Sequence, residues 1–247
     1  MKLKWLFRKG FLIMHIKYLI PLSFVCLGAS SIALAEDGAI ERTWAATAEL
    51  GYIETSGNTE TETLNAKFKG ETSLAKWTNE LELEALKSAA NDVRSAEKYR
   101  VEAQTDYDLG ERAYALLNVN WENDNFSGYD YQASATFGFG YRVIKTDTVK
   151  LKLELGPGYR VAEDDIGNKE EDAIVRAAEL FTWKLSETST FEQYLKVEAG
   201  DSNTETRFGI SLASKIAGDL SMKISHDITH NSDVPAGSDE TDRETSV

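Results

Sequence analysis

The chain has 247 residues, 41 acidic against 27 basic for a formal net charge of −14, and a single cysteine. That balance excludes a nucleic-acid binder, which needs clustered Lys and Arg to meet phosphates, and one cysteine excludes a disulfide framework. A mean hydropathy of −0.38 resembles that of a soluble protein, but the average has no power here, because a transmembrane barrel places only alternate residues in lipid.

The N-terminus reads as a signal peptide over residues 1–35. Lys2, Lys4, Arg8, Lys9 and Lys17 form a basic region, residues 18–27 an apolar core, and Ala33-Leu34-Ala35 a cleavage site. Translation starts at Met1 or at Met14, the second giving a more compact signal. Phe24-Val25-Cys26-Leu27 lacks the flank of a lipoprotein signal, so no lipid anchor is expected. The mature chain, 36–247, then carries 22 basic and 41 acidic groups and no cysteine. It contains no run of the ~18 apolar residues that a transmembrane helix requires.

From Trp44 onward, segments of about ten residues alternate apolar with polar, the pattern of a transmembrane β-strand. The first sets Trp44, Ala46, Ala48, Leu50 and Tyr52 against Thr47, Glu49 and Gly51, and Ser56-Gly57-Asn58-Thr59 turns it. The second sets Leu64, Ala66 and Phe68 against Asn65, Lys67 and Lys69. The third sets Trp77, Leu81, Leu83 and Ala85 against Glu80, Glu82 and Glu84. A polar loop is expected at 89–95. The fourth then sets Tyr99, Val101, Ala103 and Tyr107 against Lys98, Arg100, Glu102 and Asp106, charges that a helix of period 3.6 would scatter around its whole surface.

Gly110-Glu111 turns the chain into a fifth strand with Ala115, Leu117, Val119 and Trp121 opposite Asn118, Asn120 and Glu122. The sixth sets Tyr131, Phe137, Phe139 and Tyr141 against Gln132, Ser134, Thr136 and Arg142. The seventh sets Leu151, Leu153, Leu155 and Tyr159 against Lys150, Lys152, Glu154 and Arg160. In the eighth, over 173–185, the two faces do not separate. The ninth has Phe191, Leu195 and Val197 against Glu192, Lys196 and Glu198. The tenth has Phe208, Ile210 and Leu212 against Arg207, and the eleventh has Met222, Ile224 and Ile228 against Lys223 and Asp227. Turns at 110–111, 145–147, 186–189 and 218–219 are short, whereas 162–172 and 230–241 read as long acidic loops. With the N-terminus in the periplasm, short turns are periplasmic and long loops extracellular, and aromatics near strand ends form the interfacial girdles.

Eleven strands would leave an open edge in lipid, with unpaired backbone groups at several kcal/mol each. Residues 242–247 begin one more alternating run, so a twelfth strand is expected, truncated where the sequence stops. The predicted fold is an all-β, antiparallel up-and-down transmembrane barrel of about twelve strands in one domain, 36–247.

Ala48-Glu49-Leu50-Gly51-Tyr52 followed by Thr55-Ser56-Gly57-Asn58-Thr59-Glu60-Thr61, together with the ending Asp239-Glu240-Thr241-Asp242-Arg243-Glu244-Thr245-Ser246-Val247, resembles the salt-induced outer-membrane protein family, domain of unknown function 481. Members of that family continue past the Thr-Ser-Val with a few apolar residues and a closing aromatic. The resemblance implies a barrel in the outer membrane of a Gram-negative cell and an association with salt or envelope stress. It supplies no catalytic residue and no substrate.

Chemistry-bearing residues are sparse. His226, Asp227 and His230 lie near Ser221 and Ser225, but alternation turns His226 away from Asp227, so the pair cannot converge as a hydrolase requires. No enzyme activity, cofactor or metal site is expected. The dense carboxylates of 164–172 lack EF-hand spacing, and Gly138-Phe139-Gly140 and Gly156-Pro157-Gly158 precede no helix that could bind phosphate. The candidates for function are the charges predicted to line the lumen: Glu80, Glu82, Glu84, Lys98, Arg100, Glu102, Lys150, Lys152, Glu154, Arg160, Arg207 and Lys223. Eight strands fill with side chains and sixteen leave a channel; twelve lies between. Two readings follow, a salt-bridged plug that holds an envelope barrel rigid and a narrow pore for small solutes. A surface adhesion barrel, a hydrolase using His226 and Asp227, and a soluble periplasmic β-protein are the alternatives. Expected partners are outer-membrane lipid, lipopolysaccharide and the barrel assembly machinery, with the oligomeric state open.

Overall fold

The computed structural model describes residues 42–55, 61–91, 93–218, 220–235 and 237–246. The predicted signal peptide and the Ser56-Gly57-Asn58-Thr59 turn lie outside them. The chain runs through twelve strands: β1 (Arg42–Thr55), β2 (Thr61–Leu74), β3 (Trp77–Ala90), β4 (Val93–Asp108), β5 (Ala113–Asp124), β6 (Tyr129–Lys145), β7 (Val149–Asp164), β8 (Lys169–Lys184), β9 (Ser189–Ala199), β10 (Thr204–Ala217), β11 (Leu220–Asn231) and β12 (Thr241–Ser246). Each pairs antiparallel with the next in one sheet ordered β1 to β12. The sheet curls into a barrel, and side chains from its two ends meet inside. Lys223 Nζ of β11 donates to Glu49 Oε1 of β1 at 2.8 Å, and Asn65 Nδ2 of β2 donates to Glu244 Oε1 of β12 at 2.5 Å.

The burial is inside out. Among the described residues, the buried set is dominated by polar groups such as Asp106, Asn118, Thr136 and Arg176, while Phe137, Phe139 and Leu155 are each about 60% exposed on the outer wall. A soluble sandwich would show the reverse, because its core must be dry. Along β6 the apolar outer run extends from Tyr131 to Tyr141, eleven alternating positions that match the 9–11 residues a tilted strand needs to cross hydrocarbon.

Several expected boundaries move. The polar loop at 89–95 contracts to a tight connection, because β3 continues through Ala90 and β4 begins at Val93, with Asn91 adopting a positive φ of 51°. The acidic loop of 162–172 contracts to 165–168, since Glu163 and Asp164 finish β7 and Lys169 opens β8. In the β7–β8 hairpin the cross-strand pair Glu163–Lys169, 3.4 Å apart, extends the strands, and in the β3–β4 hairpin the pairs Ala89–Arg94 and Ala90–Val93 do so, so a stretch that looks like loop in sequence becomes strand. The 230–241 connection remains long, at 232–240, and β12 is a six-residue strand paired to β11 between Ser225 and His230.

Strand β8 is the one whose faces could not be separated, and the register explains why. Arg176 and Ala178 face inward and are buried, and Leu180 lines the lumen cavity described below, so Glu179 must face outward. There it pairs with Leu153 on one side and Leu195 on the other, both exposed apolar residues. A leucine inside and a carboxylate outside invert the alternation seen along β4 and β6. Glu179→Leu is expected to raise stability by about 1–2 kcal/mol, since an outward carboxylate in the apolar band is destabilising. A urea midpoint below that of the unaltered protein would show that Glu179 is not on a lipid-facing surface.

Candidate functional site: an ion-paired lumen

Alternation along each strand delivers every second side chain to the lumen, and these are the charged ones. At the centre stands Glu102 of β4. Its carboxylate accepts hydrogen bonds from Lys196 Nζ of β9 at 2.8 and 2.9 Å, from Arg100 Nη2 at 2.7 Å and from Asn118 Nδ2 at 2.9 Å. Arg176 Nη2 of β8 lies 3.9 Å away. β4 and β9 are five strands apart, so the Lys196–Glu102 contact spans the interior rather than linking neighbours.

Two further clusters adjoin it. Glu154 of β7 accepts from Arg176 Nη1 at 2.8 Å, Tyr114 Oη at 2.8 Å and Gln104 Nε2 at 3.0 Å. Glu122 of β5 accepts from Arg207 Nη2 of β10 at 2.8 Å, and Arg207 also donates to Glu205 at 2.6 and 2.9 Å. Arg100, Glu102, Glu122, Glu154, Arg176, Glu205 and Arg207 are all buried. With opposite charges within hydrogen-bond distance, a buried ionic set of this kind is stable only while every member keeps its partners.

Glycines make room for this packing. Tyr114 is fully buried and lies against Gly140, its cross-strand partner in β6; a Cβ at Gly140 would fall 2.0 Å from the ring. Tyr194 lies in the same way over Gly209, 2.3 Å from where a Cβ would be, and donates from Oη to Asp227 Oδ1 at 2.8 Å.

The lumen is asymmetric. A cavity of about 160 Å³ remains among side chains of β1–β4 and β7–β11, whereas Tyr114 and Asn118 of β5 and Thr136 of β6 are buried outside its lining. Of the twelve residues predicted to line the lumen, Glu80, Glu82, Glu84, Arg100, Glu102, Lys152, Glu154 and Lys223 border that cavity. Lys98 and Arg207 converge on Glu122, with Lys98 Nζ 3.5 Å from it. Arg160 pairs with Asp172 at 3.2 Å and donates to the Asn203 carbonyl at 2.5 Å. Lys150 departs from the set, because it sits at the strand's second residue, where its side chain leaves the barrel mouth and is exposed.

Residues that the candidate set left out include Lys196, Arg176, Glu122 and Tyr114. Lys196 and Glu122 were legible by alternation in β9 and β5. Arg176 was hidden by the mixed faces of β8, and Tyr114 becomes recognisable only once the register sets it opposite a glycine. His226 and Asp227 do not come together. His226 Nδ1 shares a hydrogen bond with Thr245 Oγ1 at 2.8 Å on the outer wall, while Asp227 faces the lumen beside Tyr194 and Lys67. In the 165–168 connection, Asp164 Oδ1 caps the backbone N–H groups of Ile166 and Asn168 at 3.1 and 2.8 Å. Among the described residues, no group of His, Cys, Asp and Glu is arranged to hold a metal ion.

The translocator domain of autotransporter NalP from Neisseria meningitidis is similar to this chain at a TM-score of 0.45 and 13% identity, covering 85% of this chain and 86% of that one. A deltaS2 mutant of the TodX monoaromatic hydrocarbon channel gives a TM-score of 0.36 and 10% identity, covering 77% and 73%. In sequence, the uncharacterized protein YdiY of Escherichia coli (strain K12) is 25% identical over 206 residues, which is 80% of this chain and 78% of that protein. The family described as "Protein of unknown function, DUF481" matches residues 48–247, and the chain belongs to that family.

Proposed function

We propose that this protein is a non-enzymatic barrel of the outer membrane, a narrow pore for small solutes whose lumen is braced and mostly closed by cross-lumen ion pairs. The observation that carries this reading is a lumen tied across by Lys196–Glu102 and Arg207–Glu122, with a cavity lined by charged groups beside those ties. The apolar outer wall supports lipid as the surroundings, and entry into that lipid by way of signal peptide 1–35 and the barrel assembly machinery belongs to the same proposal. So does contact of the acidic loop end with lipopolysaccharide through bridging cations. The envelope-stress association implied by the family resemblance is tested by growth of a deletion strain at high salt.

The direct test is single-channel recording in planar bilayers. Small discrete steps are expected from the refolded protein, with larger steps from Lys196→Ala, which removes the tie across the lumen. A folded, heat-modifiable barrel that gives no steps in either form would reduce the lumen to a plug and leave the bracing role alone. Failure to enter bilayers would overturn the membrane reading.

A further inference from the structure

We infer that the passage beside the plug prefers small cations, and that Glu82 and Glu192 set the preference. This rests on the pore reading above. Every cation that borders it has a carboxylate within 4 Å: Lys67 with Glu84 at 3.1 Å, Lys69 and Lys152 with Glu80 at 3.6 and 3.5 Å, and Lys223 with Glu49 at 2.8 Å. Arg176 and Lys196 are held by Glu154 and Glu102, each at 2.8 Å, and Arg100 by Glu102 at 2.7 Å. The carboxylates are not all matched in return. Glu82 and Glu192 border the same space, and neither has a hydrogen bond or ion pair among the described side chains.

The surroundings of the two carboxylates differ. The register sets Glu82 between Glu102 on β4 and Lys69 on β2; Glu102 is already saturated by Lys196, Arg100 and Asn118, and the Lys69 ammonium lies within 4 Å of Glu80 rather than of Glu82. Glu192 is exposed, four residues from Lys196 on the same strand, and stands on β9 while Glu82 stands on β3. Eight carboxylates and seven cations border the cavity, a formal excess of one negative charge, and Glu82 and Glu192, on separate strands, are the bordering carboxylates with no cation within 4 Å among the described residues. In a confined, low-dielectric lumen, uncompensated charge of one sign concentrates the opposite ion.

Reversal potentials measured under a KCl gradient, with K⁺ and Cl⁻ as the probes, test the inference. The unaltered protein should favour K⁺ over Cl⁻ by roughly tenfold. Glu82→Gln combined with Glu192→Gln should bring the ratio close to unity, and Lys69→Gln should raise it, because Lys69 stands in the same cavity and holds Glu80 only at 3.6 Å. Removing Glu82 relieves a like-charge opposition, so that variant is expected to fold; heat-modifiable mobility checks it, and Lys69→Gln probes the same cavity from the other sign. Anion preference, or a cation preference unchanged in the double variant, would overturn the inference while leaving the pore intact. Absence of any conductance would overturn the pore reading, and the inference with it.

Discussion

Glu102→Ala is expected to destabilise the barrel by about 3–5 kcal/mol, the range for removing one partner of a buried ionic set. The size follows from how many groups depend on this carboxylate. Lys196 has no other carboxylate within salt-bridge distance, and Arg100 keeps only Glu122 at 4.0 Å. Arg176 retains Glu154 at 2.8 Å, so it suffers least. The alanine leaves a half-buried ammonium and a buried guanidinium without their nearest carboxylate, which is costlier than losing the hydrogen bonds themselves. Equilibrium unfolding in urea with the barrel in detergent or lipid reads the effect, and Lys196→Met provides the contrast. That change removes one cation and leaves Glu102 with Arg100 and Asn118, so it should cost markedly less. Equal costs for the two variants would show that Glu102 is not the centre of the network.

The second large effect is expected where β6 and β7 touch through their backbones. A Cβ added at Gly156 would lie 2.3 Å from the Phe137 carbonyl oxygen and 2.6 Å from Gly138 Cα, and one at Gly138 would lie 2.5 Å from the Leu155 carbonyl oxygen. These obstacles are backbone atoms within one hairpin, so no rotamer change relieves them. The ladder is already interrupted at this point, with paired positions passing from Thr136–Gly158 to Phe139–Leu155, and Pro157 has no N–H to contribute. Gly156→Ala should therefore cost more than about 4 kcal/mol or abolish refolding, a size reached by only a few named mechanisms. Gly110→Ala is the control, because nothing lies within 4 Å of its Cβ position; it should change stability by less than about 0.5 kcal/mol. Matching urea midpoints for the two variants would refute the close approach.

The two effects are separable because they act on different links. Glu102 ties strands that are remote in the sheet, whereas Gly156 sets how closely two neighbours pack. The first should affect conductance as well as stability, since removing its carboxylate opens space beside the cavity. The second should affect assembly alone.

Strand number, order and facing were legible in the sequence wherever a strand lies with one side in water-filled lumen and the other against apolar surroundings. A period of two converts that environment directly into alternation, as in β4 and β6. Legibility failed in β8, where Leu180 turns inward and Glu179 outward between Leu153 and Leu195, because those two positions break the alternation from which facing is read. It failed again at 89–95 and 162–172, where backbone pairing continues past the apolar band, through Ala89–Arg94 and Ala90–Val93 in one hairpin and Glu163–Lys169 in the other. Composition likewise pointed to the lumen as the functional region, with twelve charges named and all but Lys150 brought into its network or its cavity. Which charges meet, however, depended on curvature. Glu102 and Lys196 are 94 positions apart and on strands that share no hydrogen bonds. Only closure of the sheet brings them together, and only closure gathers Glu82 of β3 and Glu192 of β9 around one cavity.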